Sequence, residues 1–216
     1  MSPRNMSRRE FLKITGLTLG AAVVTCSGLG YAATRSPRTA DPKITFVKDP
    51  AVNKRVLISY ATRAGSTTEI AAVIGETLAG RGFGVDVKPV KDNPSLQEYD
   101  LVILGSAVRM ANWLPEMVDF IKNNQAELGR KPVALFTVHI LNLGDDEAGR
   151  EARHAYLNSL RPCLNPIDEV FFPGKIDLET LSFVDRLMTK MVKSPIGDLR
   201  NWNEIRAWSS AIFENN

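Results

Sequence analysis

Residues Arg55 to Ile70 run from an apolar stretch, Val56-Leu57-Ile58, through a short hydroxyl-rich loop directly into a helical pattern. That passage is the first half of a β-α unit, and repeats of it commit a chain to a parallel sheet with right-handed crossovers. Thr67 to about Arg81 sets Ile70, Ala71, Ile74 and Leu78 on one helical face. Gly80, Gly82 and Gly84 stop this helix, and Phe83 to Val90 reads as a second strand in which Val85 and Val87 alternate with charge. Leu101-Val102-Ile103-Leu104 is continuously apolar, as suits a central strand covered on both faces. A helix from Pro115 to about Leu128, a strand from Pro132 to Ile140, a helix from Glu147 to Leu160 and a strand at Val170-Phe171-Phe172 follow. Leu181 to Lys193 and Trp202 to about Phe213 are closing helices. The sequence thus predicts an α/β fold, a doubly wound five-stranded parallel sheet with helices on both faces, in the order 2-1-3-4-5 and with its second strand edge-like.

In that topology ligands sit beyond the carboxyl ends of the strands, at the switch point between strands one and three. Ala61–Thr67, Gly105–Leu114 and Val138–Asp146 are the segments that reach this edge. The first contains Thr62-Arg63-Ala64-Gly65-Ser66-Thr67 and opens a helix, whose unpaired N–H groups and positive dipole end form an anion site. Hydroxyls of Thr62, Ser66, Thr67 and Thr68 add donors, and Gly65 permits a tight turn. Ser66-Thr67 follows Gly65 where a Walker A loop needs lysine, and a dinucleotide fingerprint needs two further glycines. A single phosphate suits the loop, and so does an ordinary helix cap at Ser66 or Thr67.

These residues resemble the flavodoxin family, whose T-x-T-G-x-T turn surrounds the phosphate of FMN; the resemblance spans residues 54–216. Within the family the likeness is to the quinone-linked, flavodoxin-like protoporphyrinogen dehydrogenases. It is carried by Thr62-Arg63, by Ser106-Ala107-Val108-Arg109, by Phe183-Val184-Asp185-Arg186-Leu187-Met188 and by Asn201-Trp202-Asn203. Ala64 stands where ordinary flavodoxins have a second threonine, and Arg63 is expected to compensate through its fork of donors. The resemblance implies FMN as cofactor, held by residues 62–67 and by Ser106, Ala107, Val108, Arg109 and Met110. Trp113 is the candidate for stacking on the flavin ring, with packing at a helix start as its other reading. Arg109 and His139 are the candidates for catalysis, one facing an acidic substrate or reduced flavin and the other donating a proton. An oxidoreductase linked to quinone or a small aromatic substrate, and a flavodoxin-type carrier that meets redox proteins, are both compatible with these residues.

Ser7-Arg8-Arg9-Glu10-Phe11-Leu12-Lys13, followed by a moderately apolar stretch to Ala33, reads as a twin-arginine export signal over residues 1–33, cleaved or kept as an anchor. The expected location is periplasmic, or the extracytoplasmic membrane surface. Residues 34–53, with Pro37, Pro42 and Pro50, read as a linker before the FMN-binding domain at 54–216. The net charge of +3 equals that of Arg4, Arg8, Arg9 and Lys13 against Glu10, so the mature chain is near neutral and carries no basic footprint for nucleic acid. Cys163 has no internal partner once Cys26 is removed with the signal. Asp145-Asp146-Glu147 reads as a negatively charged helix start rather than a metal site. Asp185 to Arg200 sets Arg186, Lys190, Lys193 and Arg200 beside Met188, Met191, Val192 and Ile196, a pattern for peripheral membrane contact or for a helix covering the sheet.

Overall fold

The computed structural model describes residues 42–46, 54–180, 183–191 and 195–214. The expected export signal, residues 1–33, and most of the expected linker, residues 34–53, lie outside them. In chain order the elements are β1 (Ile44–Phe46), β2 (Arg55–Ala61), α1 (Ser66–Gly80), β3 (Gly84–Pro89), β4 (Leu101–Arg109), β5 (Asn112–Trp113), α2 (Pro115–Asn123) and α3 (Gln125–Leu128). They continue as β6 (Val133–His139), α4 (Glu147–Ala155), β7 (Asp168–Pro173), β8 (Lys175–Ile176), α5 (Phe183–Met191), β9 (Gly197–Asp198) and α6 (Trp202–Ala211). The main sheet runs β1-β3-β2-β4-β6-β7, with every pair from β3 to β7 parallel. The order 2-1-3-4-5 holds for those parallel strands.

Strand alternation divides the interior in two. Val56, Ile58 and Tyr60 of β2 face Ile70, Ile74 and Leu78 of α1 and Ile205 of α6. Leu57 and Ala61 face the opposite way, toward Met117, Phe120 and Ile121 of α2 and toward Leu157, Leu160 and Leu164. Each such fully buried aliphatic side chain contributes about 1.5–3 kcal/mol. Gly105 on β4 is required by this packing, because a Cβ there would lie 1.9 Å from Cζ of Phe136.

Three local expectations change. The expected linker supplies β1, which pairs antiparallel with β3 (Ile44 with Val87, Phe46 with Val85), so β3 is not at the edge. Its charged alternation is a buried network instead. Asp86 accepts from the Tyr99 hydroxyl at 2.7 Å, the Thr45 hydroxyl at 2.6 Å and the Arg55 guanidinium at 3.0 Å. Burial works against the charged carboxylate, but those hydroxyls and the cations of Lys88 and Arg55 outweigh it and hold its pKa below the ordinary value. The helix expected over 115–128 divides at Asn124, whose side-chain amide donates to the Phe120 carbonyl. The helix expected to reach Leu160 ends at Ala155, and tighter turns follow (Leu160 N–H to the Leu157 carbonyl, Cys163 N–H to that of Leu160). These turns bring Leu157 and Leu160 into the core, whereas α4 buries no residue.

Candidate functional site

The loop after β2 makes a compact anion cradle. The Gly65 N–H donates to the Thr62 hydroxyl at 3.0 Å, closing the turn, and Gly65 itself sits at φ 87. The first α1 backbone bond runs from the Glu69 N–H to the Gly65 carbonyl, so the N–H groups of Ser66, Thr67 and Thr68 come before the helical ladder begins. Buried beside them, the hydroxyls of Thr67 and Thr68 have no hydrogen-bond partner among the described residues. An unsatisfied buried hydroxyl costs about 1–3 kcal/mol, so a pair of them at a helix N-terminus calls for an acceptor from outside. A phosphate group fits this donor set.

Arg63 does not join the cradle. Its guanidinium donates to both carboxylate oxygens of Glu116, in the first turn of α2, at 2.5 and 2.9 Å. The expected compensation for Ala64 by Arg63 is therefore corrected: a half-exposed carboxylate takes the guanidinium fork, and the cradle's donors are neutral. The pair ties the first ligand loop to the helix that follows the second.

That second loop is a β-hairpin. Val108 pairs with Trp113 and Arg109 with Asn112 across a two-residue turn at Met110 and Ala111, with φ 51 and 58. Both residues lie in the left-handed region, as a type I′ turn requires, without the Asn-Gly that fits it best. Ser106 staples the base, donating to the Ala107 carbonyl and accepting from the Leu114 N–H at 3.0 Å. It is fully buried, so its role is to hold the loop. Trp113 is 2% exposed and donates its indole N–H to the Thr137 hydroxyl at 2.9 Å. The stacking expectation is corrected accordingly: Trp113 packs beneath the hairpin. Ala107 and Val108 are half-buried, while Arg109 and Met110 are exposed at the tip.

His139 closes β6 and is 3% exposed, with Nδ1 2.7 Å from the Leu141 carbonyl oxygen and its ring against Tyr156 and Phe171. Burial drives its pKa below the ordinary value, opposed by the Leu141 carbonyl and reinforced by the charge of Arg153. Buried beneath the loop with Nδ1 against the Leu141 carbonyl, the ring braces the chain that leaves β6. Arg153 braces the same loop through the carbonyls of Asn142 and Gly144, both at 2.6 Å.

A fourth segment reaches this edge that sequence reasoning missed. After β7, the Gly174 N–H donates to the His139 carbonyl at 2.8 Å. A Cβ on Gly174 would lie 2.9 Å from Val138 and 3.5 Å from the Ser66 hydroxyl oxygen, so the chain passes against the cradle. It then leaves as β8, crosses α5 and returns as β9, which pairs antiparallel with β8. Arg200 anchors the return, bonded to Glu69 of α1 at 2.7 Å and to Asp198, with its guanidinium 4.3 Å from the Trp202 ring centroid. These bonds hold the Asp198 carboxyl down to about 2. Gly174, Pro195 and Gly197 were the available signals, and punctuation of that kind marks turns without showing that two of them meet.

A protoporphyrinogen IX dehydrogenase (quinone) of Escherichia coli strain K12 is 29% identical over 149 residues, covering 66% of this chain and 81% of the relative. An enzyme of the same name from Leishmania major is 30% identical over 89 residues, 40% of this chain and 38% of its own length. Among solved structures, an archaeal flavodoxin is 17% identical with a TM-score of 0.41, covering 63% of this chain and 99% of its own. Oxidised flavodoxin 1 from Bacillus cereus is 19% identical with a TM-score of 0.42, covering 64% and 97%. The flavodoxin domain family matches residues 57–200, the greater part of the chain, and the chain belongs to that family.

Proposed function

We propose that the chain is an exported, FMN-dependent oxidoreductase that passes electrons between the flavin and a quinone or a small aromatic substrate, as the name of its bacterial relative suggests. The observation that carries this reading is the pair of buried, unpartnered hydroxyls at Thr67 and Thr68, beside the first amides of α1. Bound FMN would supply the redox chemistry. Thr62 shapes the turn that presents Ser66, Thr67 and Thr68 to its phosphate. The hairpin at 107–112 offers backbone groups and Met110 to the ring edge, and Arg109 stands beside them as a cation for an acidic substrate. Residues 1–33 are the basis for export, to the periplasm or the outer face of the cytoplasmic membrane.

Fluorescence titration with FMN tests the reading. Wild type should quench it, and Thr67→Val should weaken binding roughly tenfold, as loss of a hydrogen bond to a charged group does. Arg63→Ala should change affinity far less, since its guanidinium is held by Glu116. A protein that leaves FMN fluorescence untouched overturns the proposal. Turnover of protoporphyrinogen or a reduced quinone by the loaded protein then distinguishes an enzyme from a carrier.

A further inference from the structure

Eight large apolar side chains are exposed among the described residues, and seven of them stand on segments that leave the sheet at its carboxyl edge. Met110, 80% exposed, is the hairpin tip; Leu141 and Leu143 belong to the loop over His139. On α5, Phe183, Leu187 and Met191 recur every four residues, exposed by 71, 51 and 70%, with Ile196 just beyond. That spacing makes one stripe along the helix. Arg186 and Lys190, both exposed, each sit one residue before a stripe position or three after one, which sets them along one flank. α5 carries Arg186 and Lys190 against Asp185, and Lys193 follows before the next acid at Asp198. Acids that follow the loop after β6 are partly paired, Glu147 with Arg150 and Asp145 with Arg153.

An apolar stripe flanked by long cations is the pattern of a helix lying in a bilayer interface, its rings and thioethers in the acyl region and its charges reaching back to phosphates. No helix among the described residues is long and apolar enough to cross a membrane. We infer that the carboxyl edge of this domain is a docking face for an anionic lipid surface, with α5 as the principal contact and the tips at Met110 and Leu141–Leu143 as secondary ones. The docking face goes beyond the flavin reading and stands or falls apart from it.

Hydrogen–deuterium exchange on the full chain tests it, with vesicles of phosphatidylglycerol compared with phosphatidylcholine. Peptides covering 183–196 and 109–112 should exchange more slowly with the anionic vesicles only. Replacing Phe183, Leu187 and Met191 together by serine should remove that protection at 183–191. Arg186→Gln with Lys190→Gln should abolish the preference for anionic lipid. Residues 1–33 remain in every variant, so protection at 183–191 reports this face alone. Unchanged exchange there with vesicles overturns the inference, as does vesicle-free protection that grows with protein concentration, which would identify a second copy as the occupant. FMN quenching by the serine variant checks its fold, and lost quenching in wild type with intact lipid protection would sink the flavin reading alone.

Discussion

Thr67 and Ala111 are each placed at a local cost in free energy, and the two should answer to mutation in different ways. The Thr67 hydroxyl is buried without a partner among the described residues, so Thr67→Val removes an unsatisfied group at almost constant volume. The unliganded protein should then become more stable by about 1 kcal/mol, read from the urea midpoint, while FMN affinity falls. Opposite signs on stability and binding are the mark of a hydroxyl held ready for a ligand; loss of both would make Thr67 a packing residue. Ala111 sits at φ 58 beside Met110 at φ 51. A left-handed conformation costs an L-residue about 1–2 kcal/mol, less about 0.5–1 kcal/mol of backbone freedom that glycine gives up on folding. Ala111→Gly should accordingly stabilise the domain by about 0.5–1 kcal/mol in urea unfolding. Strain of this kind concentrates at functional loops, and Met110 is the apolar tip that it presents.

Among the elements, the loop 140–146 depends on one imidazole. Burial disfavours the charged form of His139, and its Nδ1 lies 2.7 Å from the Leu141 carbonyl oxygen. Its folded pKa lies below the unfolded value of about 6.5, so as the pH falls the unfolded chain takes the proton first. The stabilisation is therefore complete above about pH 6.5 and is lost progressively as the pH drops toward the depressed folded value. Thermal unfolding of wild type should show this decline, and His139→Gln should flatten it below about pH 6.5. An identical slope in both proteins would move the effect elsewhere. The position of His139 at the end of a ligand-side strand was legible in the sequence, but its role was not. Burial and the Leu141 carbonyl arise from Tyr156, Phe171 and a returning loop, none of which local pattern encodes. The choice between the two readings of Trp113 was hidden for the same reason: its partner, Thr137, lies on a different strand. Strand order and the hydroxyl loop could be read because both follow from local periodicity and turn chemistry. Arg63 could not, since nothing in Thr62-Arg63 reveals that Glu116 will stand opposite.

At the scale of the whole molecule, the folded unit begins earlier than its sequence pattern suggests. Ile44, Thr45 and Phe46 lie in a proline- and charge-bearing stretch that lacks the length of an independent strand. Tertiary context makes them one. Phe46 lies across Gly75, where a Cβ would come within 2.8 Å of its ring, and Thr45 donates to Asp86. Together they cover the β3 edge and complete the polar network under Tyr99. Phe46→Ala should therefore cost about 2 kcal/mol, less than a fully buried phenylalanine because the ring is only partly enclosed. A chain beginning at residue 54 should lose more. Its β3 strand would present unpaired backbone groups beside Val85 and Val87, an edge that invites pairing with another molecule. Sedimentation velocity should then show self-association in the truncated chain and none in Phe46→Ala, which keeps its β1 backbone. Equal behaviour of the two would mean that the ring, not the strand, is what β1 contributes to the fold.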